Sequence, residues 1–482
     1  MADVDVLIIG AGLSGIGAAC MLRKQLPGTR FAVLEARHSL GGTWDLFRYP
    51  GVRSDSDMYT LGYVFKPWTG GKALADGESI REYIAEAAED YGVADHVHFG
   101  HRVTNANWNS ARNRWEVEVQ LASGEMQSWS CQFLHCCAGY YNYAGGYQPD
   151  FPGREAFQGQ FVHPQHWPQD LDYTNKRVVV IGSGATAVTL VPAMADKAAK
   201  VTMLQRSPSY VLSLPAQDKL AQSFRRWLPE SMAYGLNRWK NIGLSMWLYT
   251  LSRRKPETVK RFLRKGIRQA LGPDFPVDTH FKPDYNPWDQ RLCFVPDGDL
   301  FAALRSGKAD IVTDHIDSLT SSGIRLRSGV EIDADIIVSA TGLDLQFLGG
   351  MHLHHDGQPV DLTQSYVYRG MMLQDLPNFA FTVGYTNASW TLKADLTAAY
   401  VCRLIKHMQR KGYQRCTPRL RDDRLQPEPI IDFSSGYVQR ALDRMPKQGS
   451  KAPWKLYQNY IRDRLLLGWG RLEDGSMEFA RG

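Results

Sequence analysis

Cysteine is scarce in this sequence, and the few cysteines do not form the patterns that bind metals or build disulfide frameworks. There are seven among 482 residues, and no two of them have the spacing C-x-x-C. An odd number without such spacing supports neither a disulfide-linked scaffold nor a zinc site. It is typical of a protein in a reducing compartment, and we expect no metal in this one.

Long hydrophobic runs, targeting segments and nucleic-acid-binding patterns are also missing. No apolar run reaches the roughly 18 residues that a membrane-spanning helix needs, and the beginning, MADVDVLIIGAG, lacks the basic region and cleavage site of a signal peptide. The net charge of +6 is mild, and no aromatic residues alternate with a basic stripe. The composition, 44% hydrophobic and 22% charged, is that of a globular protein. We expect a cytoplasmic protein without a nucleic-acid partner.

The first chemical signal is a glycine-rich turn between an apolar strand and an alanine-rich helix. Residues 6–9 predict a buried strand, and the glycines after it have the spacing G-x-G-x-x-G and are Gly10, Gly12 and Gly15. Such a turn lets the backbone approach a pyrophosphate, to which the helix N-terminus donates amide hydrogens. A second predicted strand, 31–34, ends in Glu35, where a carboxylate can bind ribose hydroxyls. The pattern predicts a dinucleotide site; the alternative is an ordinary turn beside an unrelated glutamate.

A second glycine-rich turn repeats this arrangement near the middle of the chain. A predicted strand, 177–181, precedes a G-x-G-x-x-A turn, and the residues placed to bind a second pyrophosphate are Gly182, Gly184, Ala185 and Thr186. The next strand ends in Arg206 and Ser207 instead of an acid. An arginine beside a hydroxyl suits the extra phosphate of NADPH. We therefore expect NADPH here; the alternative is a solvated charge at the end of a strand.

The segment after the first turn resembles flavin monooxygenases. It has the pattern E-x-R-x-x-x-G-G-T-W, formed by Glu35, Arg37, Gly41, Gly42, Thr43 and Trp44. In that family the G-G-T-W portion carries the chain across the isoalloxazine ring. The resemblance thus implies FAD as the first ligand, bound by Gly42, Thr43 and Trp44. Flavin disulfide reductases, a competing family, place a redox-active cysteine pair soon after this point, and the lack of cysteine between Cys20 and Cys131 excludes them.

A polar turn, 49–57 (YPGVRSDSD), is similar to the Y-P-G-x-R-x-D segment of the same monooxygenases. The resemblance implies that Tyr49 contacts the cofactor and that Asp55 is the active-site carboxylate. An aspartate in such a turn is as often a helix cap as a functional group. Asp57 lies two positions further on, so the choice between the two aspartates rests on the motif.

The most specific motif lies between the two glycine-rich turns. Residues 157–168 (FQGQFVHPQHWP) match F-x-G-x-x-x-H-x-x-x-W-P, which resembles the fingerprint of Baeyer–Villiger monooxygenases, the flavoenzymes that insert an oxygen atom beside a ketone carbonyl. The motif sits in or just after a predicted linker, so we expect His163 and Trp167 to contact cofactor and to hold two alternative domain orientations. The alternative is an ordinary loop in which Trp167 fills an apolar gap and His163 binds a backbone carbonyl.

The same resemblance implies a catalytic arginine, Arg291, within residues 288–292 (WDQRL). A permanently charged fork of donors can stabilise the oxyanion that forms when a flavin peroxide attacks a ketone. Asp55 would hold Arg291 and tune its charge. Many family members have a lysine where this chain has Gln290, a departure that concerns one contact to the NADPH phosphate.

These patterns predict an α/β protein with two Rossmann-like domains, for FAD and for NADPH, and a helical insertion in the NADPH domain. In the last part, Gly384 and residues 385–390 are expected to line the substrate pocket before a helix near 392–410. The expected order is the FAD domain, first part (1–142), a linker with the first part of the NADPH domain (143–214), the insertion (215–287), the rest of the NADPH domain (288–342) and the rest of the FAD domain (343–482).

The predicted insertion is rich in basic residues. Its segment 253–268 carries eight positive charges against one negative. One interpretation is an amphipathic element that touches an anionic membrane surface. The other, which we favour, is the solvated face of a helix beside an ordinary core. The apolar segment 242–251 is too short to span a bilayer, and the sequence leaves the oligomeric state open.

The resemblance covers nearly the whole chain. Three segments, GGTWDLFRYPG, GSGATAV and YTNASWTLKAD, are similar to the ethionamide-activating subgroup of Baeyer–Villiger monooxygenases. It implies that NADPH reduces FAD, that O2 then gives a C4a-peroxyflavin, and that ketones become esters or lactones. Sulfides should be oxidised by the same protein. The alternatives are a flavin-containing N- or S-oxygenase, which usually lacks Trp-Pro in the linker pattern, an uncoupled NADPH oxidase, and an inert flavin-binding scaffold.

Overall fold

The first part of the chain alternates apolar strands with helices, as the buried run at 6–9 predicts. The computed structural model describes residues 2–422 and 424–481. The elements up to residue 136 are β1 (Ala2–Ile9), α1 (Leu13–Gln25), β2 (Phe31–Glu35), α2 (Thr43–Leu46), α3 (Met58–Leu61), α4 (Gly77–Asp90), β3 (Val97–Phe99), β4 (His101–Asn109), β5 (Arg114–Leu121) and β6 (Met126–Cys136).

The middle of the chain repeats the strand–turn–helix unit and then becomes helical. Its first elements are β7 (Gln160–Val162), β8 (Arg177–Ile181), α5 (Ala185–Met194), β9 (Lys200–Gln205) and β10 (Val211–Leu214). The helical segment that follows contains α6 (Lys219–Trp227), α7 (Glu230–Arg254), α8 (Pro256–Leu271) and α9 (Val277–His280). Strands return with β11 (Cys293–Pro296), α10 (Asp299–Arg305), β12 (Ala309–Thr313), β13 (Ile316–Thr320), β14 (Gly323–Leu326), β15 (Glu331–Asp333) and β16 (Ile336–Ser339).

The last part combines short strands with one long helix, which begins at Trp390, two residues before the predicted position. The elements are β17 (His352–His355), β18 (Gln358–Pro359), β19 (Val367–Tyr368), β20 (Met372–Leu373), β21 (Phe379–Phe381), α11 (Trp390–Lys411), β22 (Arg415–Pro418), β23 (Pro427–Pro429), α12 (Gly436–Gln439), β24 (Lys447–Gly449), α13 (Tyr460–Trp469) and β25 (Met477–Ala480).

The first sheet is assembled from both ends of the chain. Its nine strands have the order β18-β17-β4-β5-β6-β1-β2-β3, and β21 also pairs with β6. Strand β1 pairs in parallel with β2 and β6, for example Ile8 opposite Val33 and His135. Helix α11 packs against α1 on this sheet. These pairings support, as a proposal, an FAD domain formed by residues 1–142 and 343–482.

The second sheet has five parallel strands in the order β12-β9-β8-β16-β7. Both sheets with their crossover helices confirm the predicted α/β class with two Rossmann-like units. Strand β7 lies inside the motif at 157–168, and Phe161 pairs with Ile337 of β16. This part of the motif therefore belongs to the edge of a sheet, and it is not a free linker.

The helical segment leaves and re-enters the second lobe through two neighbouring strands. Strand β10 pairs in parallel with β11, with Val211 opposite Cys293, so the chain between them starts and ends at one place. Helix α8 packs on the core of the second sheet through Ile267 and Leu271. Among the described residues, no helix is both long and apolar enough to cross a membrane.

Helix α7 packs against the first lobe, which the sequence did not predict. The guanidinium of Arg238 donates to the carbonyl oxygens of Tyr59 at 2.9 Å and Gly62 at 2.6 Å, and it forms a buried ion pair with Asp395 of α11 at 2.8 Å. Asn241 donates to the carboxylate of Asp57 at 2.8 Å. Helices α7 and α8 therefore bridge the two lobes.

Replacing Arg238 by alanine should lower the free energy of unfolding by about 3 kcal/mol, because Asp395 is left as a buried charge without its partner. Chemical denaturation of the FAD-loaded protein, followed by circular dichroism, measures this. Lys308→Ala is the control, since it removes an exposed ion pair with Asp196 and should change the free energy by less than about 0.5 kcal/mol. Equal losses in the two variants would contradict the bridging role of α7.

Candidate active site

Both glycine-rich turns open into one cavity of about 1320 Å³. The cavity lies at the carboxyl ends of the central parallel strands of the two sheets, where open α/β sheets bind their ligands. Its volume exceeds the roughly 300–1,000 Å³ of pockets that hold one small ligand. A cavity of this size and position can hold two dinucleotides.

The first turn has no room for side chains. A Cβ atom on Gly10, whose φ is +95°, would lie 2.8 Å from the carbonyl oxygen of Cys137, and one on Gly15 would lie 1.8 Å from that of Gly10. The G-G-T-W segment packs directly on this turn, because a Cβ atom on Gly42 would lie 2.9 Å from the Cα atom of Gly12. The two backbone segments therefore form one side of the cavity, as an extended nucleotide requires.

Glu35 ends β2 beside this turn, and it already holds two backbone groups. Its carboxylate accepts hydrogen bonds from the N–H of Ala11 at 2.7 Å and of Arg37 at 2.8 Å. Burial raises the pKa of Glu35, and these two bonds oppose the increase. Each carboxylate oxygen has two lone pairs, so ribose hydroxyls can bind the same group, which lines the cavity.

Four tyrosines of the connector after β6 line the cavity, and the sequence analysis did not identify them as site residues. They are Tyr140, Tyr141, Tyr143 and Tyr147. The hydroxyl of Tyr143 lies 3.5 Å from Oγ1 of Thr43, and Arg440 lies over the ring of Tyr147 at 3.4 Å. Only the richness of this connector in tyrosine and glycine hinted at such a role. Trp44 is half-buried and packs against the core of the first lobe.

The second glycine-rich turn differs from the first at Gly184, which has open space beside it. A Cβ atom on Gly182, whose φ is +140°, would lie 2.3 Å from the carbonyl oxygen of Ala340, whereas one on Gly184 would meet no atom within 4 Å. Gly184 therefore faces open space in the cavity, as a position that contacts a pyrophosphate should. Ala185 and Thr186 begin α5 beside it and also line the cavity.

Arg206 and Ser207 lie at the far end of this half of the cavity, and both are exposed. Within the described part of the chain, the guanidinium of Arg206 has no carboxylate partner. The hydroxyl of Ser183 donates to the carbonyl oxygen of Ser207 at 3.0 Å, which ties the turn to this strand end. His315 joins the same wall and had no sequence signal.

The central feature of the cavity is a bidentate ion pair between Arg291 and Asp55. Nε and Nη2 of Arg291 donate to the two carboxylate oxygens at 2.7 and 2.8 Å. The carboxylate raises the pKa of Arg291, so the guanidinium keeps its charge. Among the described residues, Nη1 has no acceptor, which leaves it available to a ligand.

The structure distinguishes the two aspartates of the polar turn. Asp57 caps α3, because its carboxylate accepts from the N–H of Thr60 at 3.1 Å and from Asn241. Asp55 points to Arg291 instead. Arg53 of the same turn, which the sequence analysis did not single out, pairs with Asp299 of α10 at 2.6 Å. This turn therefore joins the two lobes through two ion pairs.

Tyrosines surround the ion pair and remain neutral. Burial raises the pKa of Tyr437 to about 12, and it also raises the pKa of Tyr140 well above its usual value. Gly384 lines a recess of about 10 Å³ whose lining also includes Arg291. A Cβ atom on Gly384 would lie 2.5 Å from the ring of Trp390, whose indole N–H donates to Ser14 at 2.7 Å.

Three of the predicted cofactor contacts pack against other parts of the protein. Tyr49 lines the cavity and also packs on the core of the second lobe. His163 and Trp167 do not line the cavity. The ring of His163 lies against the backbone of Gly146, and Trp167 packs on the core of the second sheet. Their contact with cofactor stays a prediction.

Comparison with known proteins identifies the family. The chain is 52% identical over 479 residues to the FAD-containing monooxygenase EthA of Mycobacterium tuberculosis, an alignment that covers 99% of this chain and 98% of that protein. The chain belongs to the FAD-containing monooxygenases. It is also 51% identical over 478 residues to the probable FAD-binding monooxygenase AlmA of Acinetobacter baylyi, with 99% and 96% coverage. Residues 73–226 match the flavin-binding monooxygenase-like model, and 8–65 match the NAD(P)-binding Rossmann-like domain.

Solved structures agree with this flavin monooxygenase fold. A steroid monooxygenase bound to NADP is 22% identical and has a TM-score of 0.77 with full coverage of both chains. OTEMO in complex with FAD and NADP is 21% identical and has a TM-score of 0.75 with 99% coverage of both. FAD and NADPH are the cofactors of this flavin monooxygenase. The close backbone packing of the first glycine-rich turn and the open space at Gly184 fit two dinucleotides.

Gly184→Val should raise the Kd for NADP at least about tenfold, because the side chain would occupy the open space next to the turn without disturbing the protein. Fluorescence titration of the FAD-loaded protein with NADP measures the constant. Gly28→Val is the matched control, since Gly28 also has no atom within 4 Å of its Cβ position but lies away from the cavity. Unchanged NADP binding by Gly184→Val would contradict this placement of the pyrophosphate.

Proposed function

We propose that this flavin monooxygenase is a Baeyer–Villiger monooxygenase, which converts ketones to esters or lactones with NADPH and O2 and also oxidises sulfides. The observation that carries the proposal is the Arg291–Asp55 ion pair in the cavity onto which both nucleotide turns open. Oxygen insertion beside a carbonyl needs a fixed positive charge where the carbonyl oxygen becomes negative. Arg291 meets this requirement.

The role of Arg291 follows from its geometry. Asp55 holds two of its nitrogen atoms in one plane, so the fork cannot turn away from the cavity. The remaining donor can bind the oxygen of a substrate carbonyl and stabilise the negative charge that develops there. Bound FAD, once reduced by NADPH, supplies the activated oxygen from O2. Asp55 therefore acts as a positioning residue for Arg291.

Apolar and aromatic side chains stand beside Arg291, but the recess they form has a volume of only about 10 Å³, room for about one water molecule. We therefore propose that the substrate itself lies in the main cavity. The recess beside Arg291 is lined by Val383, Ile431, Phe433 and Val438, and by the rings of Tyr140, Tyr385, Trp390 and Tyr437. Such walls exclude water, which strengthens the interaction between the guanidinium and the carbonyl oxygen. The substrate carbonyl would lie where the main cavity meets this recess.

Product analysis tests the proposed reaction. The FAD-loaded protein is given NADPH, air and a panel of linear, cyclic and aryl ketones, with a thioether alongside, and products are separated by gas chromatography. We expect esters or lactones in step with NADPH consumption, together with some sulfoxide. Sulfoxide without any ester would favour heteroatom oxygenation, and hydrogen peroxide alone would favour an uncoupled NADPH oxidase.

Arg291→Ala should lower ester formation about a thousandfold, since the charge on the carbonyl oxygen is no longer stabilised. NADPH should still reduce the flavin, which stopped-flow absorbance follows. Arg253→Ala is the control, because Arg253 is a partly exposed arginine that pairs with Asp289, two residues before Arg291. Persistent ester formation by Arg291→Ala would remove Arg291 from the mechanism.

Arg206→Ala should raise KM for NADPH about tenfold or more and leave KM for NADH unchanged, because only NADPH carries the phosphate that the guanidinium can bind. Steady-state kinetics with each nucleotide measures the two constants. Arg177→Ala serves as the control, since Arg177 is an exposed arginine of the same sheet that pairs with Asp333 and Asp335. Equal changes for both nucleotides would show that Arg206 does not recognise this phosphate.

A further inference from the structure

Helix α7 carries several large apolar side chains on the face that points away from the protein. Its large exposed residues lie along one side of the helix and are Met232 (55% exposed), Leu236 (48%), Trp239 (45%), Leu244 (57%) and Trp247 (59%). Its buried side contains the polar residues Asn237, Arg238 and Ser252 beside Ala233, Tyr234 and Ile242. Helix α8 shows the usual arrangement, with Val259, Leu263 and Ile267 buried and its charges in solvent. Helix α7 therefore exposes large apolar side chains while its buried side includes polar and charged residues.

Helix α13 extends this apolar surface. Ile461, Leu465 and Trp469 recur every four residues and are 47%, 56% and 71% exposed. On its other side, Asp463 is buried and pairs with Lys393 at 2.8 Å. The rings of Trp239 and Tyr460 lie 5.9 Å apart, and Arg464 lies 5.2 Å from the ring of Trp239. The two exposed stripes therefore adjoin. We call them together the α7/α13 face.

Polar contacts hold α7 in this orientation. Besides the Arg238–Asp395 ion pair, Asn241 donates to Asp57, and the hydroxyl of Tyr234 donates to the carbonyl oxygen of Tyr63 at 2.9 Å. Turning the apolar stripe inward would break all of these bonds and leave a buried carboxylate unpaired. The α7/α13 face is therefore a fixed feature of the fold. A monomeric protein rarely exposes so many large apolar side chains together.

The charge around the face indicates what covers it. The segment 219–271, from the start of α6 to the end of α8, contains thirteen lysine and arginine residues and two acidic residues. Arg254 is exposed two turns after Trp247 on the same side of α7, and Arg462 and Arg464 flank the stripe of α13. Two copies of this chain would bring like charges together. An anionic surface would neutralise these charges, while the tryptophan rings would lie at the level of the lipid headgroups.

The cavity wall lies directly behind this face. Ile242 of α7 belongs to one buried cluster with Tyr385, Leu392 and Tyr460, and Tyr385 lines the cavity. A helix with its side chains is about 10 Å across, so this thickness separates the face from the wall. A surface that covers the face would thus lie close to the site of the reaction.

We propose that the α7/α13 face docks on the surface of an anionic phospholipid bilayer. The protein would lie on the bilayer with Trp247 and Trp469 in the headgroup region and with its cations at the lipid phosphates. This inference does not rest on the proposed reaction, because it concerns binding alone.

Vesicle sedimentation of the full-length, FAD-loaded protein tests the proposal. Vesicles of phosphatidylglycerol and phosphatidylcholine in equal parts should retain the protein, vesicles of phosphatidylcholine alone should retain much less, and added salt should release it. Trp247→Ser combined with Trp469→Ser should lower the partition coefficient at least about tenfold. Arg254→Glu should weaken binding to the anionic vesicles only.

Met126→Ser combined with Val330→Ser is the matched control, since these residues are each 54% exposed but belong to hairpins elsewhere. This variant should bind like the wild type, and FAD absorbance checks that all variants fold. If the tryptophan variant does not fold, a second measurement tests the proposal with the wild type alone. Brominated phospholipids should then quench the tryptophan fluorescence of the wild type. No binding to anionic vesicles, no quenching, or equal binding by both double variants would overturn the proposal. The proposal would also be overturned if the wild type forms a dimer that vesicles do not retain and the tryptophan variant is a monomer.

Discussion

The bidentate ion pair between Arg291 and Asp55 requires most of the tertiary structure to be in place. Its two residues are separated by 236 positions in the chain. Asp55 lies in a turn that ends at Asp57, the N-cap of α3. Arg53 of the same turn forms an ion pair with Asp299 of the second lobe. Arg291 lies two residues before the start of β11, whose position depends on its parallel pairing with β10. The charge at the centre of the cavity thus depends on contacts between both lobes.

Each nucleotide-binding turn depends on backbone packing that tolerates only glycine. Gly10 and Gly182 have positive φ angles and lie against carbonyl oxygens of neighbouring strands. Both turns follow a strand with parallel neighbours on both sides, so both open at the carboxyl ends of those strands. One cavity can then hold FAD and NADPH together, which a monooxygenase needs because the nicotinamide must reduce the flavin.

The helical segment packs against both lobes. Its α8 side has an ordinary apolar interior on the second lobe, while its α7 side binds the first lobe through Arg238, Asn241 and Tyr234. Polar side chains inside and apolar side chains outside are costly unless each side has a partner. The inner partners are Asp395, Asp57 and the carbonyl oxygens near α3. The outer partner that fits the charges is an anionic bilayer.

The sequence alone determined the α/β class, the two dinucleotide turns and the approximate position of α11, because apolar periodicity and glycine spacing act over short segments. It also identified the family. The resemblance also implied that Asp55 holds Arg291. Only the tertiary structure showed that Asp57 caps a helix, that four connector tyrosines line the cavity, and that His163 and Trp167 do not. It alone oriented α7. The direction of a side chain depends on partners far away in the chain, such as Asp395 for Arg238, and no local pattern encodes them.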